Sequence, residues 1–394
     1  MGARPAPAQD RLSVPPALFN LGFRPFYLLA ALFAALAVPA WVADLSGHGW
    51  PAGYLEGLIW HQHEMVFGFA LAVISGFLLT AGRVWTGLPT PSGLPLAFLA
   101  AHWIAARVLV VTGPGWLGAL VDGAFPFVVA AVLARVILGA RNARNYFVPA
   151  LLAALGLVNA GFHLSALGLI PAPASLATQA GLYLVVLLLI VMAGRVVPSF
   201  TASALPQAKL RRSAALDYAA LALSVLAFSC ALAEVDGWLG ALPAFGAAAL
   251  HLARQTGWAP LATRTRPILW ILQLSHAWIP VGFALLGLAA LGLVIGAAPL
   301  HAFAVGALSG TIIGMITRTA LGHTGRPLAA GRAEIAAYVL VQCAAVARVA
   351  AALVLAAYMP LVYLSAALWS AAFLTYFLTY APRLASPRID GKPG

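Results

Sequence analysis

His61, His63 and Glu64 fall within four consecutive positions of the stretch Trp60-His61-Gln62-His63-Glu64-Met65, at the start of a long apolar segment. Neutral imidazole is a ligand for haem iron, copper and zinc. A carboxylate beside it can orient the ring or relay a proton. The stretch therefore reads as a ligand-bearing helix start, against the plainer reading of an interfacial polar cap on a membrane helix. His61 and His63 are two residues apart, about 200° around a helix. Regular helical backbone cannot aim both at one centre, so either they serve two centres or the segment begins non-helically. Glu64 lies three residues from His61 and shares its face. Met65 is four from His61, a soft donor or a packing residue.

The elements that carry these residues are set by hydropathy. Of 394 residues, 63% are hydrophobic and 8% charged, against about 25% charged in a soluble domain. Water is not the solvent of such a chain. The expected class is an all-α, polytopic transmembrane bundle. Segments long enough to cross a bilayer are 26–43, 59–81, 95–112, 119–138, 147–168, 177–198, 214–235, 238–253, 267–294, 299–320, 333–357 and 359–380. This divides the chain into an N-terminal segment 1–25, a twelve-span domain 26–380 and a tail 381–394. Pro-rich residues 1–20 lack the pattern of a cleavable signal. The net charge of +12 sits almost entirely in alternate connections, while the opposite loops hold Asp44, Glu56, Glu234 and Asp236 and no Lys or Arg. That distribution predicts cytoplasmic termini and argues against nucleic acid as a partner. Arg107 and Arg348 lie within spans: Arg107 can snorkel outward from the last turn or pair near the interface, and Arg348, deeper, is expected to face the bundle interior, where charges are paired or functional. Cys230 and Cys343 are isolated, which excludes a disulfide framework or a CxxC site. No GxGxxG, Walker loop, HExxH or nucleophile elbow occurs, which excludes nucleotide-driven classes.

With 1.5 Å of rise per residue, position within a span gives depth. His61, His63, His163 and His301, from three helices, share the outer third of the bilayer. His102 and His276 lie near mid-depth, and His251 and His323 near the cytoplasmic side. His48 is in an outer loop. Asn159 and His163 are i,i+4 and face one way, as Gln273 and His276 do at i,i+3. The candidate metal ligands are therefore His61, His63, His163, His276 and His301, with Glu64 and His63 as the proton-handling pair. Gly306, Ser309, Gly310 and Gly314 permit close approach of a neighbouring helix or of a flat cofactor. On the cytoplasmic side, Arg24, Arg83, Arg195, Arg318, His323 and Arg326 form arginine-rich motifs richer than topology requires. They read as topology anchors or as an anion site for carboxylates such as haem propionates. They lie about 30 Å from the outer histidines, so they serve a second site or a structural lock.

The motifs Leu21-Gly22-Phe23-Arg24-Pro25-Phe26, Trp60-His61-Gln62-His63-Glu64-Met65, Gly194-Arg195-Val196-Val197-Pro198-Ser199-Phe200-Thr201 and Gly314-Met315-Ile316-Thr317-Arg318 through Gly325-Arg326-Pro327, in this order, resemble the NnrS family of bacterial membrane proteins. The resemblance covers nearly the whole chain. It implies a twelve-spanning inner-membrane protein with haem, expected to be b-type, and copper, linked to nitric oxide and nitrosative stress. By resemblance, His61, His63 and Glu64 match the histidine-rich signature, and His301 and His323 sit in the late motif. The function expected is binding of nitric oxide and its reduction or removal. A reductase would join two molecules with two electrons and two protons to release nitrous oxide, drawing on a quinol or periplasmic cytochrome. The alternatives are a non-enzymatic nitric oxide sensor or haem- and metal-handling protein, and a secondary transporter.

Overall fold

The computed structural model describes residues 17–49 and 53–392. Arg4, Arg11 and most of the expected N-terminal segment lie outside the described residues. Every long element is a helix, and the described residues contain no strand. In hydrocarbon, each backbone N–H and C=O must be satisfied within the chain, and a helix does this within one segment. The helices are α1 (Phe23–Leu45), α2 (Gly57–Thr86), α3 (Leu94–Thr112), α4 (Gly115–Gly139), α5 (Phe147–Ala166) and α6 (Ala174–Ala204). They continue with α7 (Ala214–Leu232), α8 (Gly237–Thr256), α9 (Pro267–Ala290), α10 (Ala297–His323), α11 (Arg332–Leu353) and α12 (Tyr358–Ala385).

Turn residues set the boundaries. Gly87, with φ 71°, closes α2 in the left-handed conformation that favours glycine. Pro267 occupies the first position of α9, where its missing N–H costs nothing. Ser213 caps α7 by accepting from the Leu216 amide. The apolar run 333–380 is broken at Val354–Ala357, which separates α11 from α12.

Among the described residues, eleven helices are long and apolar enough to cross a membrane. The remaining one, α8, has 20 residues and packs between α7 and α9. Its buried His251 and Arg254 lower its hydropathy without shortening it. The chain is a multi-pass membrane protein.

Two helices depart from α geometry. In α2, Glu64–Ala70 is wound as π-helix, and in α10 so is Ala302–Ser309. Each π segment begins directly after the last histidine of its helix entry, His63 or His301. Such windings are rare and concentrate at functional sites. These two helices are also the most enclosed, with 83% and 72% of their apolar windows buried, so their side chains face protein rather than lipid.

The small face of α10 is filled by α9 and α11. A Cβ at Gly306 would strike the Trp278 ring, one at Gly310 would meet Ser275 and Gln342, and one at Gly314 would meet Ile271 and Leu272. The glycines therefore serve close helix approach.

Candidate metal centre

His63 closes the α-helical entry of α2, and its ring is fully buried. Its Nε2 lies 3.1 Å from Asp122 Oδ2 and 3.0 Å from Asn159 Oδ1. His163 Nε2 lies 2.9 Å from the same Asp122 oxygen. Asn159 Nδ2 donates to that oxygen at 2.7 Å. Asp122 comes from the second turn of α4, and Asn159 and His163 come from one face of α5. The ligating atoms of His63, Asp122 and His163 lie within 4.8 Å of one another, and all three residues are buried.

The outer nitrogens of both rings are also engaged. His63 Nδ1 is 3.0 Å from Glu64 Oε1, and His163 Nδ1 is 2.8 Å from the Tyr54 hydroxyl. Arg107, from α3, pairs with the second oxygen of Asp122 and lies 3.3 Å from Glu64 Oε2. Its guanidinium also rests 5.5 Å from the Trp103 ring, and Trp103 Nε1 donates to the Gly68 carbonyl at 3.1 Å. Glycine at position 68 leaves room for this ion pair, since a Cβ would come within 2.6 Å of both Arg107 Nη1 and Glu64 Oε2.

Regular helix would place Glu64 on the face of His61. The π winding starts at Glu64, and Arg107 draws the carboxylate toward His63 instead. Met65 packs in the apolar core.

This geometry tests whether a metal fits. If Glu64 accepts from His63 Nδ1, and Tyr54 from His163 Nδ1, the two Nε2 lone pairs and Asp122 Oδ2 converge on one point. Lone pairs this close need a cation or a proton between them. Two imidazoles and a carboxylate, each held from behind by a hydrogen bond, are a metal-ligand arrangement. Protons can substitute for the metal. His63 is flanked by a carboxylate at each nitrogen, so a proton on both makes it an imidazolium. His63, Arg107, Asp122 and Glu64 then sum to zero charge, which suits a buried cluster.

The other expected residues fall elsewhere. His61 points away from His63, stacks on Trp41 with centroids 4.0 Å apart, and interacts electrostatically with Arg348. His301 interacts with both Arg348 and His61. The four histidines thus divide into two groups, His63 with His163 and His61 with His301, one of the two outcomes their angular spacing allowed. His276 joins neither. It sits 5.8 Å from His251 and 4.6 Å from Trp258 in ring-centroid distance. His251 is satisfied by Ser224 at 2.9 Å and Arg254 at 3.2 Å.

At the opposite end of the bundle, Arg24 Nη1 donates to the carbonyls of Leu384 and Ser386, both at 2.8 Å. It also interacts with Arg326 and Arg388. His323 contributes its carbonyl to Arg388 at 3.2 Å. Arg195 donates to Asn145 Oδ1 at 3.1 Å, Arg318 lies 3.8 Å from the Phe200 ring centroid, and Arg83 is exposed.

Asp122, Tyr54 and Arg107 join the centre without having been singled out as site residues in the sequence. The signal for Asp122 and Arg107 was their depth, since each lies within two turns of the same helix-bundle end as His63.

A search of the curated proteins found no match. The profile of the NnrS protein family matches residues 17–388, nearly the whole chain. A buried imidazole–carboxylate cluster in a multi-pass helical bundle, on a chain matched over that length, makes this protein a member of the NnrS family.

Proposed function

We propose that this protein is a bacterial inner-membrane metalloprotein that binds nitric oxide and removes it by reduction. One observation carries the proposal: the convergence of His63, His163 and Asp122 in a buried pocket, with Glu64, Tyr54 and Arg107 behind them. Copper suits this imidazole-rich donor set. Haem would be held in the neighbouring pocket by His61 or His301. A bound metal would supply an open coordination position and reducing electrons to a small neutral gas that reaches it through the bilayer.

The chain's own residues do the remaining work. His63 and His163 present Nε2, while Glu64 and Tyr54 fix the ring orientations. Arg107 balances the two carboxylates. The rings of Phe67 and Phe162, 5.3 and 4.5 Å from that of His63, exclude water. Glu64, 3.0 Å from His63 Nδ1, would pass protons to that ring. Electrons would come from a quinol or a periplasmic cytochrome.

A second reading draws on the completeness of the hydrogen bonding, in which every ring nitrogen of His63 and His163 already has a partner. In it the cluster stores a proton, and the protein senses nitric oxide or handles metal without turnover.

Metal analysis of the purified protein, with reduced, oxidised and nitric oxide-treated spectra, separates the two. The wild type is expected to carry metal that His63→Ala, His163→Ala and Asp122→Asn each lose, and to consume nitric oxide only when given electrons. Unchanged metal content in all three folded variants would end the metal assignment. Metal binding without electron-dependent consumption would leave the sensor reading.

A further inference from the structure

Arg348 is a buried cation with no anion beside it. It lies on α11, five residues from the helix end, and is 7% exposed. Its Nη1 has no hydrogen-bond partner. Tyr358, at the start of α12, lies against it at 5.8 Å from ring centroid to guanidinium and engages it through the phenol. Among the described residues, no carboxylate comes within ion-pair distance of it. The other deeply placed arginines contrast with this. Arg107 has Asp122 and Glu64, and Arg254 has Asp217 at 2.7 Å. A buried arginine lacking a counter-charge is costly, and such residues inside a membrane bundle mark ligand sites.

Two histidines are packed toward Arg348: the entry of α10 that ends in His301 packs on α11, and Trp41, on which His61 stacks, shares an apolar cluster with Tyr358. His61 Nδ1 is buried without a hydrogen bond, its ring fixed against Trp41. His301 Nδ1 lies 2.7 Å from the Ala297 carbonyl, so it carries the proton and leaves Nε2 with a free lone pair. These residues arrive from α2, α10 and α11, the first two at the ends that lead into the π segments. These three side chains therefore combine one fixed positive charge with two imidazoles, and among the described residues no carboxylate pairs with them.

We propose that His61, His301 and Arg348 form a second ligand pocket for a group bearing an anionic oxygen, its charge paired with the Arg348 fork and its remainder against the two imidazoles. The anionic oxygen can belong to the carboxylate arm of an imidazole-held macrocycle or to a small free oxyanion such as nitrite. The macrocycle source rests on the haem reading proposed above, whereas the anion site itself is independent of the metal at His63 and His163, whose failure would leave it standing.

The test uses full-length protein in detergent, as wild type, Arg348→Gln, Arg348→Lys and the exposed control Arg135→Gln. One arm measures haem content and the absorption spectrum. The other titrates nitrite at constant ionic strength with chloride as counter-titrant, following thermal unfolding. If the source is a macrocycle, wild type and Arg135→Gln retain haem, Arg348→Gln loses it or shifts its spectrum, and Arg348→Lys falls between. If the source is a small oxyanion, nitrite raises the melting temperature of wild type. Arg348→Gln then weakens the effect about tenfold to a hundredfold, the range for hydrogen bonds to a charged group. Wild-type protein that holds no haem and gains nothing from nitrite overturns the proposal, whether or not the variants fold. So do haem content and nitrite response that are the same in a folded Arg348→Gln as in wild type.

Discussion

Asp122 takes His63, His163 and Asn159 on one oxygen and Arg107 on the other. Asp122→Ala therefore leaves Arg107 buried with half of its countercharge, and breaking a buried pair of this kind costs about 3–5 kcal/mol. Thermal unfolding in detergent should show that loss, while metal analysis shows an emptied centre. Asp122→Asn should cost less stability, since the amide keeps the shape, yet lose the metal equally. A variant that kept its metal would remove Asp122 from the ligand set. The histidines of this centre were legible in the sequence because imidazoles stand out in apolar runs and helical rise converts position into depth. The 200° between His61 and His63 left two alternatives, two centres or a non-helical entry, and the α-helical entry Gly57–His63 with His61 stacked on Trp41 separates the two rings. Asp122 was harder to see, being a single acid in an otherwise apolar span. Tyr54 was hidden because a loop residue has no helical register to place it.

The π windings in α2 and α10 are features that apolar periodicity does not encode. A hydrophobic run reads the same whether its backbone bonds close at four residues or five. What the sequence retains is the glycine such a stretch needs where another side chain crosses it. At Gly68 the crossing group is the Glu64–Arg107 pair. Gly68→Ala places a methyl group 2.6 Å from both partners, and neither can retreat without losing Asp122 or His63. Overpacking of this kind typically costs about 1–3 kcal/mol. The variant is expected to fold with a lowered melting temperature and a perturbed metal spectrum. Gly161→Ala is the matching control, because a Cβ there meets nothing within 4 Å and should change neither. A Gly68→Ala protein indistinguishable from wild type would mean that the π segment does not position Glu64.

Across the whole molecule, the chain closes on itself at the end opposite the histidines. Arg24 near the start of α1 holds the carbonyls at the end of α12. Arg388 beyond α12 bonds the His323 carbonyl and grips Asp390 at 2.6 and 2.8 Å, and the Ile389 amide donates to Thr324. The first, tenth and last helices are thus tied together some 20 residues, or about 30 Å, from the His63–Asp122–His163 cluster. The arginine-rich motifs were legible as one of two things, an anion site or a lock, and this geometry gives Arg24 and Arg388 the contacts of a lock. Arg24→Ala should then lower thermal stability while leaving metal content and the metal spectrum intact, the reverse of Asp122→Asn. The lock should also persist through mild acid. Arg388 beside Asp390 holds that carboxyl well below the usual carboxylate range. A depressed carboxylate contributes its stability above its ordinary value of about 3.9 and loses it only as pH falls toward the depressed one. Stability differences between wild type and Asp390→Asn should therefore be constant from pH 8 to about pH 5. A difference that vanished within that window would show that the pair is not what fastens the tail. Loss of metal in Arg24→Ala would show that the two ends of the bundle are coupled rather than separately built.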